Sequence, residues 1–138
     1  MAHLDKLFGI DGPVLNYYSH ISSTPTLPLE LVAGQSVWVD TMVADDVSAA
    51  AEDGRSPEIT LTVRFDKPIQ PGQLRLRLGG NDLPDVRQAE DGALECRVAS
   101  QLVIQGPNRL EVSFLDYKVS AAIASVKLSE VRLSVHYP

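Results

Sequence analysis

Hydrophobic residues recur at every second position in several stretches of this chain. In the segment RLEVSF, the apolar residues Leu110, Val112 and Phe114 alternate with polar ones. A period of two indicates a β-strand with one face in a core and the other in water. We therefore expect these three side chains to face the core and Glu111 to lie on the opposite face. The Gly-Pro-Asn sequence at 106–108 is expected to turn the chain just before this strand.

The same alternation predicts about eight short strands along the chain. It is present at 29–33, 37–43, 59–65, 74–78, 94–98 and 126–137. Turn residues such as Gly79-Gly80 separate these segments, and a slip in the alternation at 129–130 predicts a β-bulge. The Ala-rich segment at 45–54 predicts one or two helical turns, with Asp46 as N-cap and Gly54 as the stop.

This pattern predicts an all-β fold. Too little helix is present for the crossovers that parallel strands require. Since the alternation also requires one solvated face per sheet, we predict two antiparallel sheets packed as a jelly-roll sandwich with one or two short helical turns. The sandwich is expected to span 29–138. Residues 1–28 include the proline-rich run STPTLP and are predicted to form an N-terminal arm, either a linker to something upstream or a strap across the sandwich.

Composition narrows the classes of partner. A chain of 138 residues with 44% hydrophobic content can build one core without metals. Its net charge is −6 and its basic residues are scattered, so we expect no nucleic acid partner. No apolar run resembles a signal peptide or could span a bilayer, so we expect no membrane partner. Both a cytoplasmic protein and a module excised from a secreted chain fit the sequence.

Cys96 is the only cysteine in the sequence, which excludes an internal disulfide. It shares the phase of Leu94 and Val98 in its predicted strand. We therefore expect a buried and unreactive thiol rather than a nucleophile.

Three segments resemble galactose-binding-like sandwich modules. LRLRLGGNDL resembles a hairpin of these modules, LVIQGPNRLEVSF resembles their Gly-x-Asn segment, and VRLSVHYP resembles their closing strand. Such modules are appended to many bacterial glycoside hydrolases, often at the C-terminus. The resemblance covers 29–138 and implies a non-catalytic accessory module that binds carbohydrate or packs against a catalytic domain. The hairpin has Gly79-Gly80-Asn81 where Asn-Gly is usual, and no binding residue is carried over from the family.

Aromatic residues are candidates for a sugar platform, because a pyranose presents an apolar face to a flat ring and hydroxyls to polar groups. Trp38 is out of phase with the valines around it and lies beside Asp40, so it is the first candidate. The alternative, which we favour from the sequence, is a tryptophan packed under the N-terminal arm. The same two alternatives apply to Tyr17, Tyr18 and Tyr117.

Polar ligand candidates lie around one predicted hairpin. Arg75 and Arg77 share the outer face of a strand, and Asn81 and Asp82 follow at its end. Together they can hydrogen-bond a sugar hydroxyl or a carboxylate. A solvated sheet face, with charges that discourage pairing at its edge, is the simpler interpretation.

Metal and catalytic motifs are weak. Asp45 and Asp46 are candidate ligands for a structural calcium ion, which the family resemblance implies, although a helix cap is the simpler role. The three histidines His3, His20 and His136 do not have metal-ligand spacing. The sequence contains no phosphate-binding glycine loop and no nucleophile elbow. We therefore expect no enzyme and no cofactor beyond calcium.

We favour two hypotheses about the function over a third, a small hydrolase with a carboxylate pair. In the first, the chain is an accessory module with a carbohydrate ligand or a catalytic domain as partner. In the second, it is a structural sandwich that self-associates through a sheet face or edge and has no sugar ligand.

Overall fold

The structure is a computed structural model that describes residues 14–21, 25–115 and 125–138. Two antiparallel sheets of six and four strands contain its ten strands, so the predicted all-β sandwich is confirmed. The strands are β1 (Val14–Ser19), β2 (Leu29–Val32), β3 (Ser36–Val43), β4 (Glu58–Phe65), β5 (Leu74–Leu78), β6 (Asn81–Asp82), β7 (Arg87–Gln88), β8 (Leu94–Val98), β9 (Gly106–Phe114) and β10 (Ser125–Tyr137). The helical elements are α1 (Val47–Glu52) and the 3₁₀ turns Pro71–Gln73 and Ser100–Leu102.

The six-stranded sheet is built around β10. Its order is β1-β10-β4-β8-β7, and β2 pairs with β10 on the same edge as β1. The first part of the long strand β10 pairs with β2 and its last part pairs with β1. The register between β10 and β4 shifts between Leu128 and Glu130, which confirms the predicted bulge.

The four-stranded sheet has the order β3-β9-β5-β6. Leu110, Val112 and Phe114 of β9 are each at most 1% exposed, so their predicted inward direction is confirmed. Hydrophobic residues from both sheets meet between them in one core. Because the inner face of each sheet packs in this core and the outer face contacts water, apolar and polar residues alternate along the strands.

The predicted turn at 106–108 is wrong, because these residues are the first three of β9 and pair with the end of β3. The chain turns earlier, and the buried side chain of Asn108 closes that turn. Its Oδ1 accepts a hydrogen bond from Ile104 N at 2.9 Å, and its Nδ2 donates to Ile104 O at 2.9 Å. The amide therefore satisfies loop backbone groups while the backbone of Asn108 joins the sheet.

Part of the predicted N-terminal arm is a strand of the sandwich. β1 lies within it and pairs with β10 along its whole length. The chain then reaches the smaller sheet, where His20 forms a bridge with Thr41 and Ile21 N donates to Asp40 O at 2.7 Å. The division of the chain at residue 29 remains a prediction.

The predicted helical turns are confirmed as α1. The side chain of Asp46 accepts a hydrogen bond from Ala49 N at 3.0 Å, so Asp46 is the N-cap. Gly54 follows the last turn with a φ of +84°, in the left-handed region where glycine is favoured. Within the described ranges, no helix is both long and apolar enough to cross a membrane.

Candidate functional site

The outer face of the four-stranded sheet brings together most of the predicted ligand residues. Trp38 on β3 lies opposite Glu111 on β9. Glu111 lies opposite Arg77 on β5, which lies opposite Asp82 on β6. This row spans about 14 Å at the usual strand spacing. We call the surface the Trp38 face, and its side chains are Ser36, Trp38, Asp40, Met42, Arg75, Arg77, Asp82, Arg109, Glu111 and Ser113.

The charged groups of the Trp38 face are paired with one another. Arg75 makes a bidentate contact with Asp82, with Nε 2.8 Å from Oδ1 and Nη2 3.1 Å from Oδ2. Arg109 Nε donates to Asp40 Oδ1 at 3.1 Å. The hydrogen bond from Arg75 holds the pKa of Asp82 below its ordinary value, so this carboxylate stays ionised. Such exposed pairs contribute little to stability, but they fix donors and acceptors in place.

Arg77 completes the row of charges. Its Nη1 donates to Glu111 Oε1 at 3.4 Å, and its Nη2 donates to Gly80 O at 2.9 Å. Three guanidinium groups and three carboxylates therefore share the Trp38 face, which carries no net charge.

Trp38 lies at the surface, where it is 56% exposed. Met42, on the same face of β3, is 49% exposed. The ion pair between Asp40 and Arg109 lies between these two side chains on the same face of the strand. Trp38 is therefore exposed, as the hypothesis of a sugar platform requires. Ligand binding by Trp38 remains a prediction.

Asn81 is the one predicted polar ligand that the structure does not bring to the Trp38 face. It lies opposite Leu78, which is buried and faces the core. Gly79 and Gly80 both have positive φ values, +58° and +86°, and form the tight turn before it. Arg109 and Glu111 were missed as site residues, because the sequence does not reveal that β9 lies between β3 and β5.

Asp45 is engaged by protein groups. Its carboxylate accepts hydrogen bonds from the hydroxyl of Tyr18, from Tyr137 Oη at 2.6 Å, and from Asn16 Nδ2 at 3.1 and 3.2 Å. We call these four side chains the Asp45 clasp. The clasp ties β1 and the end of β10 to the loop before α1. Burial and, to a lesser extent, the hydrogen bond to Asp45 raise the pKa of Tyr137.

Calcium binding by Asp45 and Asp46 remains a prediction. The hydrogen bonds that both side chains make within the protein do not favour it. Asp45 accepts from three side chains, and Asp46 caps α1. Across the part of the chain that the structure describes, no group of three or more His, Cys, Asp or Glu side chains is arranged to hold a metal ion.

The described histidines lie far apart in the fold. His20 bridges to β3, whereas His136 is on the outer face of the six-stranded sheet with Nδ1 3.5 Å from Glu58 Oε1. His3 lies outside the described residues.

The tyrosines divide between the two faces of β1. Tyr18 belongs to the Asp45 clasp, so it packs inward rather than offering a platform. Tyr17 is 56% exposed, and the guanidinium of Arg132 lies over its ring at 5.1 Å. Tyr117 lies outside the described residues.

The predicted burial of Cys96 is confirmed, since it is 1% exposed in the core. Burial and, to a lesser extent, the neighbouring Glu95 raise the pKa of its thiol from 9.0 to about 11. The thiolate that a nucleophile requires is therefore disfavoured at neutral pH.

The raised pKa of Cys96 predicts a loss of stability in alkali. The folded-state pKa lies above the unfolded one, so this contribution to stability is complete below pH 9 and is lost as the pH rises towards 11. We expect the free energy of unfolding to fall by roughly 2–3 kcal/mol over this range through Cys96. Urea titrations from pH 7 to 11 should show a smaller fall in Cys96→Val. Identical pH profiles for both proteins would contradict the assignment.

The sequence matches no protein-family model, and no curated protein matches it. The fold, however, is similar to part of several solved structures. Two are wild-type BuGH86 and a variant of it, both in complex with neoagarooctaose, each with a TM-score of 0.65 and 14% identity. They match 92% and 90% of this chain, and 20% and 18% of their own. Another is BpGH86A, a β-porphyranase of glycoside hydrolase family 86 from the human gut bacterium Bacteroides plebeius. Its TM-score is 0.56 at 17% identity, and the match covers 91% of this chain and 21% of BpGH86A.

At these identities the likeness shows the fold alone. The chain spans about a fifth of the length of each of these structures. The comparisons therefore show a β-sandwich that also occurs as a small part of family 86 glycoside hydrolase structures.

Proposed function

We propose that this chain is a non-catalytic accessory module of a glycoside-hydrolase-like protein, of the galactose-binding-like kind, and that its Trp38 face binds a carbohydrate chain. The observation that carries this proposal is Trp38 itself, 56% exposed at the end of a row of fixed polar groups. The match to about a fifth of each family 86 structure supports an accessory role.

The chemistry of the Trp38 face suits a neutral sugar. An indole ring can pack against the apolar C–H face of a pyranose. Sugar hydroxyls both donate and accept, and each guanidinium–carboxylate pair offers donors and acceptors side by side. Because the charges are already paired, a neutral ligand leaves no net charge buried without a partner.

Neoagarooctaose is the first ligand to test, because it occupies the similar BuGH86 structures. Trp38 is the only tryptophan in the sequence, so intrinsic fluorescence reports on this face directly. A ligand stacked on the indole should shift its emission.

Trp38→Ala is expected to weaken carbohydrate binding at this face at least about tenfold, because it removes the stacking platform. Since Trp38 lies at the surface, the free energy of unfolding should change by about 0.5 kcal/mol or less. Calorimetric titration with neoagarooctaose and a panel of neutral glycans measures the first effect, and thermal melting measures the second.

Two further variants sharpen this experiment. Trp38→Phe keeps a flat ring and should retain part of the affinity. Leu15→Ala removes a side chain of similar exposure, 47%, from the other sheet and should leave the affinity unchanged. Full binding by Trp38→Ala, or a stability loss of several kcal/mol, would contradict the proposal.

A second function is favoured by the apolar side chains at the β1–β2 edge of the larger sheet. Leu15 and Tyr17 of β1 are 47% and 56% exposed, and Val32 of β2, which pairs with the opposite end of β10, is 37% exposed. An edge of this kind can pack against another domain or a second copy of the chain. Sedimentation analysis tests self-association, and a stable dimer without any glycan ligand would replace the carbohydrate proposal.

A further inference from the structure

A shallow groove lies on the outer face of the six-stranded sheet, on the side of the sandwich opposite the Trp38 face. Strands β4, β8 and β10 form its floor, and Gln88 of β7 with the loop at 89–93 forms one wall. It consists of two adjoining depressions of about 590 and 450 Å³. Arg64, Gln88, Asp91 and Ala93 line both of them.

Arg64 lies at the centre of this groove and links its floor to its wall. Its Nη2 donates to Asp91 Oδ2 at 2.6 Å, and its Nε donates to Glu130 Oε1 at 2.8 Å. Arg132 Nη2 donates to the same oxygen of Glu130 at 3.2 Å. Asp91 Oδ1 also accepts from Ala93 N at 3.1 Å, which holds the turn of the wall. The polar groups of the groove are therefore positioned by one another before any ligand arrives.

The charge of the groove narrows the class of ligand. The larger depression is lined by the acidic residues Glu90, Asp91 and Glu95 and by the guanidinium groups of Arg64 and Arg132. The excess of carboxylates repels an anion such as phosphate. The two guanidinium groups in the floor oppose a cationic peptide. A neutral ligand rich in hydroxyls avoids both penalties.

We propose that this surface, the Arg64 groove, is a second carbohydrate site, which takes a neutral glycan. The Arg64–Asp91 pair can donate to and accept from neighbouring hydroxyls, and Thr62 and Gln88 add a hydroxyl and an amide to the lining. Beyond Arg132, the exposed ring of Tyr17 adds an apolar surface on the same face. This inference rests on the proposed function only for the class of ligand, a carbohydrate. It uses no residue of the Trp38 face.

Two sites on opposite faces make the module bivalent. Each molecule can then hold two chains of a polysaccharide, or two parts of one chain, with an avidity above that of either site.

Calorimetric titration of the full chain with neoagarooctaose tests the Arg64 groove. We expect two sites in the wild type and one in Trp38→Ala. In the Trp38→Ala background, Arg64→Met should weaken the remaining site at least about tenfold, because it removes charge-assisted hydrogen bonds to the ligand. As a single substitution in the wild type, Arg64→Met should leave the tryptophan fluorescence response to ligand unchanged.

Arg97→Met is the matched control. Arg97 lies on the same outer face in a similar exposed ion pair, with Nη2 3.1 Å from Glu58 Oε2, and it does not line the groove. This variant should bind at both sites as the wild type does. Gln88→Ala removes a lining amide without breaking an ion pair, so it tests the groove even where Arg64→Met fails to fold.

The outcomes separate the two sites. A single site that Trp38→Ala abolishes would overturn the groove and leave the Trp38 face standing. Binding that Arg64→Met abolishes and Trp38→Ala does not would support the groove and overturn the Trp38 face. A groove that takes a lysine-rich peptide and no glycan overturns the inference, as does equal weakening by Arg64→Met and Arg97→Met. The absence of binding to neoagarooctaose and to a panel of neutral glycans overturns both sites.

Discussion

Leu110→Asp is expected to unfold the protein, or to lower its melting temperature by more than about 10 °C. Leu110 is 1% exposed in the middle of β9, between Val39 of β3 and Leu78 of β5. The substitution loses roughly 1.5–3 kcal/mol of burial and adds several kcal/mol for a buried carboxylate without a partner. A whole domain is stable by only about 5–15 kcal/mol. Thermal melts followed by circular dichroism measure the loss.

Glu111→Gln is the matched control for this prediction. Glu111 is the next residue of β9 and faces the Trp38 face, where it accepts from Arg77 at 3.4 Å. Losing one partly exposed ion pair should change the free energy of unfolding by less than about 1 kcal/mol. Equal sensitivity at both positions would mean that both faces of β9 are buried.

Asp45→Ala should destabilise the protein by about 3 kcal/mol. It removes the carboxylate that accepts hydrogen bonds from Tyr18, Tyr137 and Asn16, and hydrogen bonds to charged groups contribute about 1.5–3 kcal/mol each. The loss should loosen β1 most, because two of the three donors lie on it. Urea unfolding measures the total, and native-state hydrogen exchange should show faster exchange of β1 amides.

The neighbouring carboxylate provides the comparison. Asp46→Ala removes the N-cap of α1 and should cost about 1 kcal/mol, without an effect on β1 exchange. If both variants lose the same stability and β1 exchange is unchanged in each, the Asp45 clasp does not hold β1 to the rest of the sandwich.

The strands with one dry and one wet face were predictable from sequence. In β4, β9 and β10, burial of one face leaves apolar residues at every second position, so the period carries the structural information. β1 was missed because it breaks this rule. It turns the polar Asn16 inward to the Asp45 clasp and leaves Leu15 and Tyr17 exposed on its outer face.

The candidate sites were only partly predictable, because they depend on which strands become neighbours. Alternation alone placed Arg75 and Arg77 on one face. The pairing of β3 with β9 then adds Arg109 and Glu111 beside Trp38, and no local pattern reveals that pairing. The Arg64 groove depends likewise on a contact between Arg64 and Asp91, 27 positions apart.

The central position of β10 has a consequence for the order in which the protein can assemble during synthesis. β1 and β2 both pair with β10, yet they leave the ribosome long before it does. A nascent chain that ends before residue 125 therefore holds both strands without the neighbour that they have in the native sheet. All strands of the four-stranded sheet lie within 36–114, so their residues have been synthesised by then. Closing a pair as distant as Val14 and Tyr137 is entropically costly and slows folding, so the larger sheet is completed after the smaller one.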